Sequence, residues 1–287
     1  MSALRHMMLA RMGSRVLAVV LIVAASVSGA PALRAQSDPH ATLDRILDVY
    51  VRDGMVYYAA LRSERAGLDR YVASLEQATW VSSATDADRR AFWINAYNAL
   101  VLRTVINAYP IAGKGDGYPA ASIGQIPGAF DKTRHRVAGQ VLTLDEIEKT
   151  VIAGFGDTRM LIALGRGALG SGRLRSEAYT GAKLNAQLDQ AVEEFVKRAD
   201  VFRLDRSLGL VEVSPFFSWR EASFVQTYTA GGDKWAKRSP LERALMAMAY
   251  PHRLPTEREF LDLNTFQMKF GAYDWRLNDL TGGAPIR

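Results

Sequence analysis

Asp86-Ala-Asp-Arg-Arg-Ala-Phe-Trp-Ile-Asn-Ala-Tyr-Asn-Ala-Leu-Val-Leu-Arg-Thr-Val-Ile-Asn-Ala108 contains neither glycine nor proline, and Pro110 stands just beyond its end. Phe92, Ala96, Ala99, Leu100 and Arg103 recur at helical spacing, while Trp93, Tyr97 and Leu100 form a second apolar strip. A helix that is apolar on most sides must be buried on most sides, so this segment is predicted to be the central helix of its domain. Upstream, Leu43, Ile46, Leu47, Tyr50 and Val51 share one face of a first helix that Gly54 ends. Val56-Tyr-Tyr58 reads as a short extended piece, and a second helix is expected from Glu64 to Leu75.

Downstream, residues 111–130 are rich in Gly and Pro and read as a long surface loop, a kind of segment often packed against a site. His135 to Leu142 reads as a tight hairpin around Ala138-Gly139. Thr143-Leu-Asp-Glu146 is a capping box opening a helix to about Ala153, with Gly154 and Gly156 ending it. A helix from Thr180 turns Leu184, Leu188, Ala191, Val192 and Phe195 inward, and residues 201–213 suggest a hairpin turning near Arg206 to Gly209. Ser218-Trp-Arg-Glu221 repeats the capping-box pattern, Ser239-Pro240 opens a further helix, and the last helix begins near Thr256. With no repeat and no linker, residues 36–287 read as one α+β domain, mainly helical with short β-hairpins.

Residues 1–35 are read apart from that domain. Arg5, Arg11 and Arg15 precede an apolar run from Val16 to Val27, followed by small residues up to Ala35. The run is short for a bilayer span and suits a signal peptide, cut after Ala35 or after Ala32. The mature protein is therefore expected in the periplasm or secreted, with no membrane span. Four arginines and no acids leave with that segment, so 32 basic side chains face 30 acidic ones and the formal charge falls from +6 to +2. So small an excess gives no nucleic-acid footprint. The absence of cysteine removes disulfides, thiolate nucleophiles and cysteine-bound metals.

Gly165, Gly167 and Gly170 spell G-x-G-x-x-G just after the apolar run Met160 to Leu164. A dinucleotide loop must leave a buried strand and open directly into a helix facing the pyrophosphate. Here Arg173-Leu-Arg-Ser-Glu-Ala-Tyr179 follows, without a helix-opening apolar pattern, and no Lys-Ser/Thr completes a Walker loop. No nucleotide, and no other cofactor, is expected. His40, His135 and His252 lie too far apart in sequence for a paired metal motif, so no metal site is expected either. His135 sits among Lys132, Arg134 and Arg136 and reads as a solvated strand histidine.

Several separated motifs, in order, resemble the family known as domain of unknown function 547. Phe92-Trp-Ile-Asn-Ala-Tyr-Asn-Ala-Leu100 resembles its F-W-I-N-x-Y-N-A signature, and Ser122-Ile123 begins its S-I segment. Leu142-Thr-Leu-Asp-Glu-Ile-Glu148 is similar to its L-S-L-D-D-I-E-H segment, and Asp157-Thr-Arg159 through Gly167-Ala168 to its D-P-R…C-G-A stretch. Val213-Ser214 with Phe217-Ser-Trp219, and Tyr273-Asp-Trp-Arg-Leu-Asn278, resemble its closing motifs. Together they run over about residues 42–280.

The resemblance implies a cysteine and a histidine suited to thiol–imidazole chemistry, and a papain/transglutaminase-like arrangement. This chain departs at both positions. Aligning Gly167-Ala168 and Leu174 puts Arg166 and Ser171 where the family has cysteines, with Arg173 at a proline position, and Lys149 where it has histidine. The favoured expectation is a catalytically degenerate binding or accessory protein of the cell envelope, with a protein or peptide-like ligand. The alternative is a hydrolase or acyltransferase in which a buried, neutral Lys149 deprotonates Ser171. Against it, Asp145 lies four residues before Lys149, ready for a surface ion pair. Arg166, Arg173, Asn95, Asn98 and Trp93 are the binding candidates. Asn95 and Asn98 are also expected to tie the loop of residues 111–130 or the glycine loop to the core, because buried amides need partners. Tyr273 to Asn278 is expected to be a structural clasp at the chain's end.

Overall fold

The computed structural model describes residues 38–228 and 233–282. The export segment expected over residues 1–35 lies outside the described residues. Helix α1 (Ala41–Tyr50) runs into a two-residue ladder, β1 (Val51–Arg52) and β2 (Met55–Val56), turned by Asp53 and Gly54 at positive φ. Two helices follow, α2 (Tyr58–Ser63) and α3 (Ala66–Glu76), where one from Glu64 was expected, and Tyr58 opens α2 instead of continuing the extended piece.

Helix α4 (Asp86–Ala108) is the central element, buried almost continuously from Ala91 to Ile106. Thr85 caps it, its hydroxyl accepting from the Asp88 amide at 3.1 Å. The loop of residues 111–130 contains one short 3-10 helix, Ile123–Gln125, whose Ile123 is fully buried. Then β3 (His135–Val137) pairs antiparallel with β4 (Gln140–Leu142) across Ala138 and Gly139, both at positive φ. Two successive positive-φ residues match the right-handed twist of the strands they join.

The expected capping box is formed, with Thr143 and Glu146 bonding reciprocally. The helix it opens, α5 (Leu144–Glu146), widens into a π-helical stretch over Ile147–Ile152 and ends at Gly156, which is left-handed. The short α6 (Arg159–Ile162) precedes the glycine-rich loop. Helix α7 (Leu184–Lys197) starts four residues later than expected, the chain from Gly181 to Lys183 forming a turn. Strands β5 (Phe202–Asp205) and β6 (Leu210–Val213) make the anticipated hairpin.

Helix α8 (Glu221–Tyr228) is entered through a 3-10 segment, Pro215–Arg220, so Ser218 is not its cap. Ser214 caps that segment by accepting from the Phe216 amide, and the Ser218 hydroxyl donates to the Pro215 carbonyl at 2.8 Å. Helices α9 (Pro240–Ala249) and α10 (Pro255–Leu263) begin as expected. The chain then adds β7 (Gln267–Phe270) parallel to β6, completing a three-stranded sheet ordered β5-β6-β7. This parallel strand was not anticipated, because its partner lies far away in sequence.

The fold class is α+β, and the described helices and the three small sheets share one contiguous apolar core. No helix among the described residues is long and apolar enough to cross a membrane. His135 corrects the expectation of a solvated strand residue. It alternates with Arg136 and shares the inward face with Val137, so its imidazole is buried while Arg136 points out.

Candidate functional site

Helix α4 fixes the chain on both sides of the glycine-rich loop. The Asn98 side chain donates to the Ala163 carbonyl at 3.2 Å and accepts from the Gly165 amide at 2.8 Å. One turn earlier, Asn95 donates to the Tyr179 carbonyl at 2.8 Å and accepts from the Tyr179 amide at 2.9 Å. Both amides are thus occupied by the backbone on either side of the loop, as a buried amide requires. These are the ties to a loop that the sequence leads one to expect of them. Trp93 is also a core residue, 5.4 Å from Phe92 and edge-on to it, so it offers no face to a ligand.

The loop is built by close backbone approach. Gly167 turns at a φ of +68°. At Gly172 a Cβ would stand 1.6 Å from the Ile162 carbonyl oxygen, so the two backbone segments pack directly on each other. The loop amides are engaged inside the protein. Leu169 donates to the Arg276 carbonyl, Gly170 to Asp274 O and Ser171 to Ala168 O, while Arg166 N reaches the Ser171 hydroxyl. A phosphate cradle needs such amides free and a following helix N-terminus. Here α6 precedes the loop and α7 begins only at Leu184.

The expected clasp holds the loop from outside through its backbone, the Arg276 and Asp274 carbonyls accepting from the Leu169 and Gly170 amides. The Asn278 side chain accepts from the Tyr58 hydroxyl at 2.7 Å and donates to the Gly54 carbonyl at 2.8 Å. Arg198 adds a guanidinium clamp, donating to the Ser171 carbonyl at 2.6 Å and the Leu169 carbonyl at 2.5 Å. Beside the loop lies a cleft of about 310 Å³ lined by Ser171, exposed Arg173, Arg198 and Arg276, with Asp53, Asp200 and Asp274 opposing their charge.

Ser171 and Lys149 do not form the pair considered for them. The buried Ser171 hydroxyl donates to the Ala168 carbonyl at 2.7 Å. Lys149 Nζ reaches Asp145 at 2.5 Å, and its side chain is 51% exposed. Helical phase explains this. Asp145 and Lys149 are one turn apart on the outer face, while Leu144, Ile147, Glu148 and Ile152 turn inward.

The inward carboxylate is therefore Glu148, 2% exposed. Its Oε1 accepts from Arg220 Nη2 at 2.6 Å; its Oε2 accepts from Arg166 Nη1 and from the Tyr97 hydroxyl, the latter at 3.2 Å. Burial holds the Tyr97 phenol well above its ordinary pKa, so it stays a proton donor to that carboxylate. Phe130 lies 5.0 Å from the Arg166 guanidinium and belongs to an aromatic group with Tyr118, Trp219, Tyr273 and Trp275.

Of the residues singled out in the sequence, the structure brings Arg166, Ser171 and Arg173 to the loop. It withdraws Trp93, Asn95 and Asn98 into the core and leaves Lys149 in solvent. Sequence reasoning missed Glu148 and Arg220. Glu148 had a legible signal: a glutamate four residues from Leu144 and four from Ile152 interrupts an apolar stripe. Arg220 had none, since its role depends on a contact with Glu148 across 72 residues of chain. Among the described residues, no three acidic or histidine side chains gather as metal ligands.

Residues 81–196 match the family model described as "Protein of unknown function, DUF547". That segment contains Tyr97, Glu148, Arg166 and Ser171, whereas Arg220, Trp219, Tyr273 and Trp275 come from beyond it. No curated protein and no solved structure matches the chain.

Proposed function

Because the chain belongs to the DUF547 family through residues 81–196, we propose that it is a member without catalysis, a binding protein that works in the cell envelope after export. The observation that carries this reading is the state of Ser171. Its proton is directed at the Ala168 carbonyl, and among the described residues no imidazole, carboxylate or amine bonds to the hydroxyl as a base. A serine nucleophile needs an acceptor that can remove that proton, and a backbone carbonyl cannot. At the other aligned position, Arg166 is a buried cation neutralised by Glu148 and is neither a nucleophile nor a base. The cleft beside Ser171 is rich in fixed charges of both signs, which suits a polar, peptide-like ligand.

Labelling with a fluorophosphonate probe tests the reading directly. The mature protein, Ser171→Ala and Lys149→Met should give the same background signal. A label on the parent protein that disappears in both variants would establish a serine–lysine enzyme instead.

A further inference from the structure

We infer that Arg166 and Arg220, with the aromatic group beside them, form a receptor for small flat monocarboxylates. This is a second site, apart from the cleft beside Ser171, and it rests on the reading of the protein as a binding protein. Two guanidinium groups share the single Glu148 carboxylate, and the third partner, Tyr97, is a neutral donor. The cluster therefore carries one excess positive charge. Asp145, whose charge also reaches Arg166, is itself paired with Lys149. A buried cation without a counter-charge is costly, and so is a buried N–H without an acceptor. The second condition holds here, because Nε of Arg166 and Nε of Arg220 are buried and find no acceptor among the described residues.

The cluster is reached from the Arg220 side, where that side chain is 18% exposed against 8% for Arg166. Trp219, next to Arg220 in the chain, is 39% exposed. It stacks on Trp275 at 5.9 Å and 24°, and Tyr273 fits against both rings, at 4.8 and 4.6 Å. Tyr118, 41% exposed, stands edge-on to Trp275. Phe130 links the two parts, touching Trp275 on one side and the Arg166 guanidinium on the other. A single carboxylate matches the excess of one charge, whereas a dianion would exceed it. A flat apolar group on the same ligand would lie on the exposed indole surface.

Titrating the full chain with benzoate, benzamide and acetate, followed by tryptophan fluorescence, tests this. Benzoate should quench saturably, at a concentration about tenfold or more below that needed for benzamide or acetate. Arg220→Gln leaves the Arg166–Glu148 pair in place but removes the excess charge, and should weaken benzoate to the benzamide level. Arg220→Lys, which keeps the charge, should restore most of the affinity. Equal binding of benzoate and benzamide by the unaltered protein, no saturable benzoate signal, or full affinity in a folded Arg220→Gln protein would each overturn the inference. A fluorophosphonate label on Ser171 would overturn the binding-protein reading but leave this titration unchanged, so the two failures are separable.

Discussion

Glu148 and Lys149 are adjacent in the chain and sit in opposite environments, which makes their substitutions a sharp comparison. Glu148→Gln would leave the Arg166 and Arg220 guanidiniums buried with no carboxylate, a change expected to cost about 3–5 kcal/mol. Lys149→Met would remove half of an exposed pair with Asp145, and should cost less than about 1 kcal/mol. Urea unfolding of the two variants beside the parent measures both. Similar losses for the two would mean that Glu148 does not hold the cluster. The reason the residues differ is helical phase: one step along the helix carries the side chain from core to solvent.

Among the elements, the helix opening at Thr143 decides which residue faces the site. Its capping box fixes where the helix begins, and the π-helical stretch that follows carries Glu148 towards Arg166 and Arg220. Thr143→Ala removes the hydroxyl that accepts the Glu146 amide and should lower stability by about 1 kcal/mol. The same loss should raise amide exchange over residues 144–152 more than in α4, which hydrogen-exchange mass spectrometry would resolve. Uniform exchange in both helices would show that the cap does not govern this segment. The capping box was legible because its four residues are contiguous. The late start of α7 was not, since the chain before it is held by the side chain of Gln187 accepting from Thr180 N and donating to Ala178 O.

Across the whole molecule, two buried histidines link stability to pH. Burial lowers the His40 pKa from 6.5 to about 4, against the opposing charges of Asp38 and Asp88. Burial, assisted by the Arg103 charge, lowers His135 from 6.5 to about 4 as well. In the unfolded chain both imidazoles protonate near their ordinary pKa, so the unfolded state binds more protons as pH falls. Their contribution is thus complete above pH 6.5 and is lost progressively down to about pH 4. Each shift corresponds to up to about 3 kcal/mol over that window. Urea midpoints between pH 7.5 and 4 should fall steeply for the parent and less steeply for His135→Leu. Parallel slopes would show that His135 does not titrate with unfolding.

The sequence by itself determined what depends on neighbours along the chain. Helix α4, the two hairpins, the capping box at Thr143 and the helix start at Ser239-Pro240 all follow from local spacing and turn chemistry. The family's ordered motifs were legible for the same reason. Only the tertiary structure decided the site. It paired Glu148 with Arg220, set β7 beside β6 and buried His135. Those outcomes depend on which buried charge or amide finds a partner when distant segments meet, and pairing energies of that kind have no signature in local spacing.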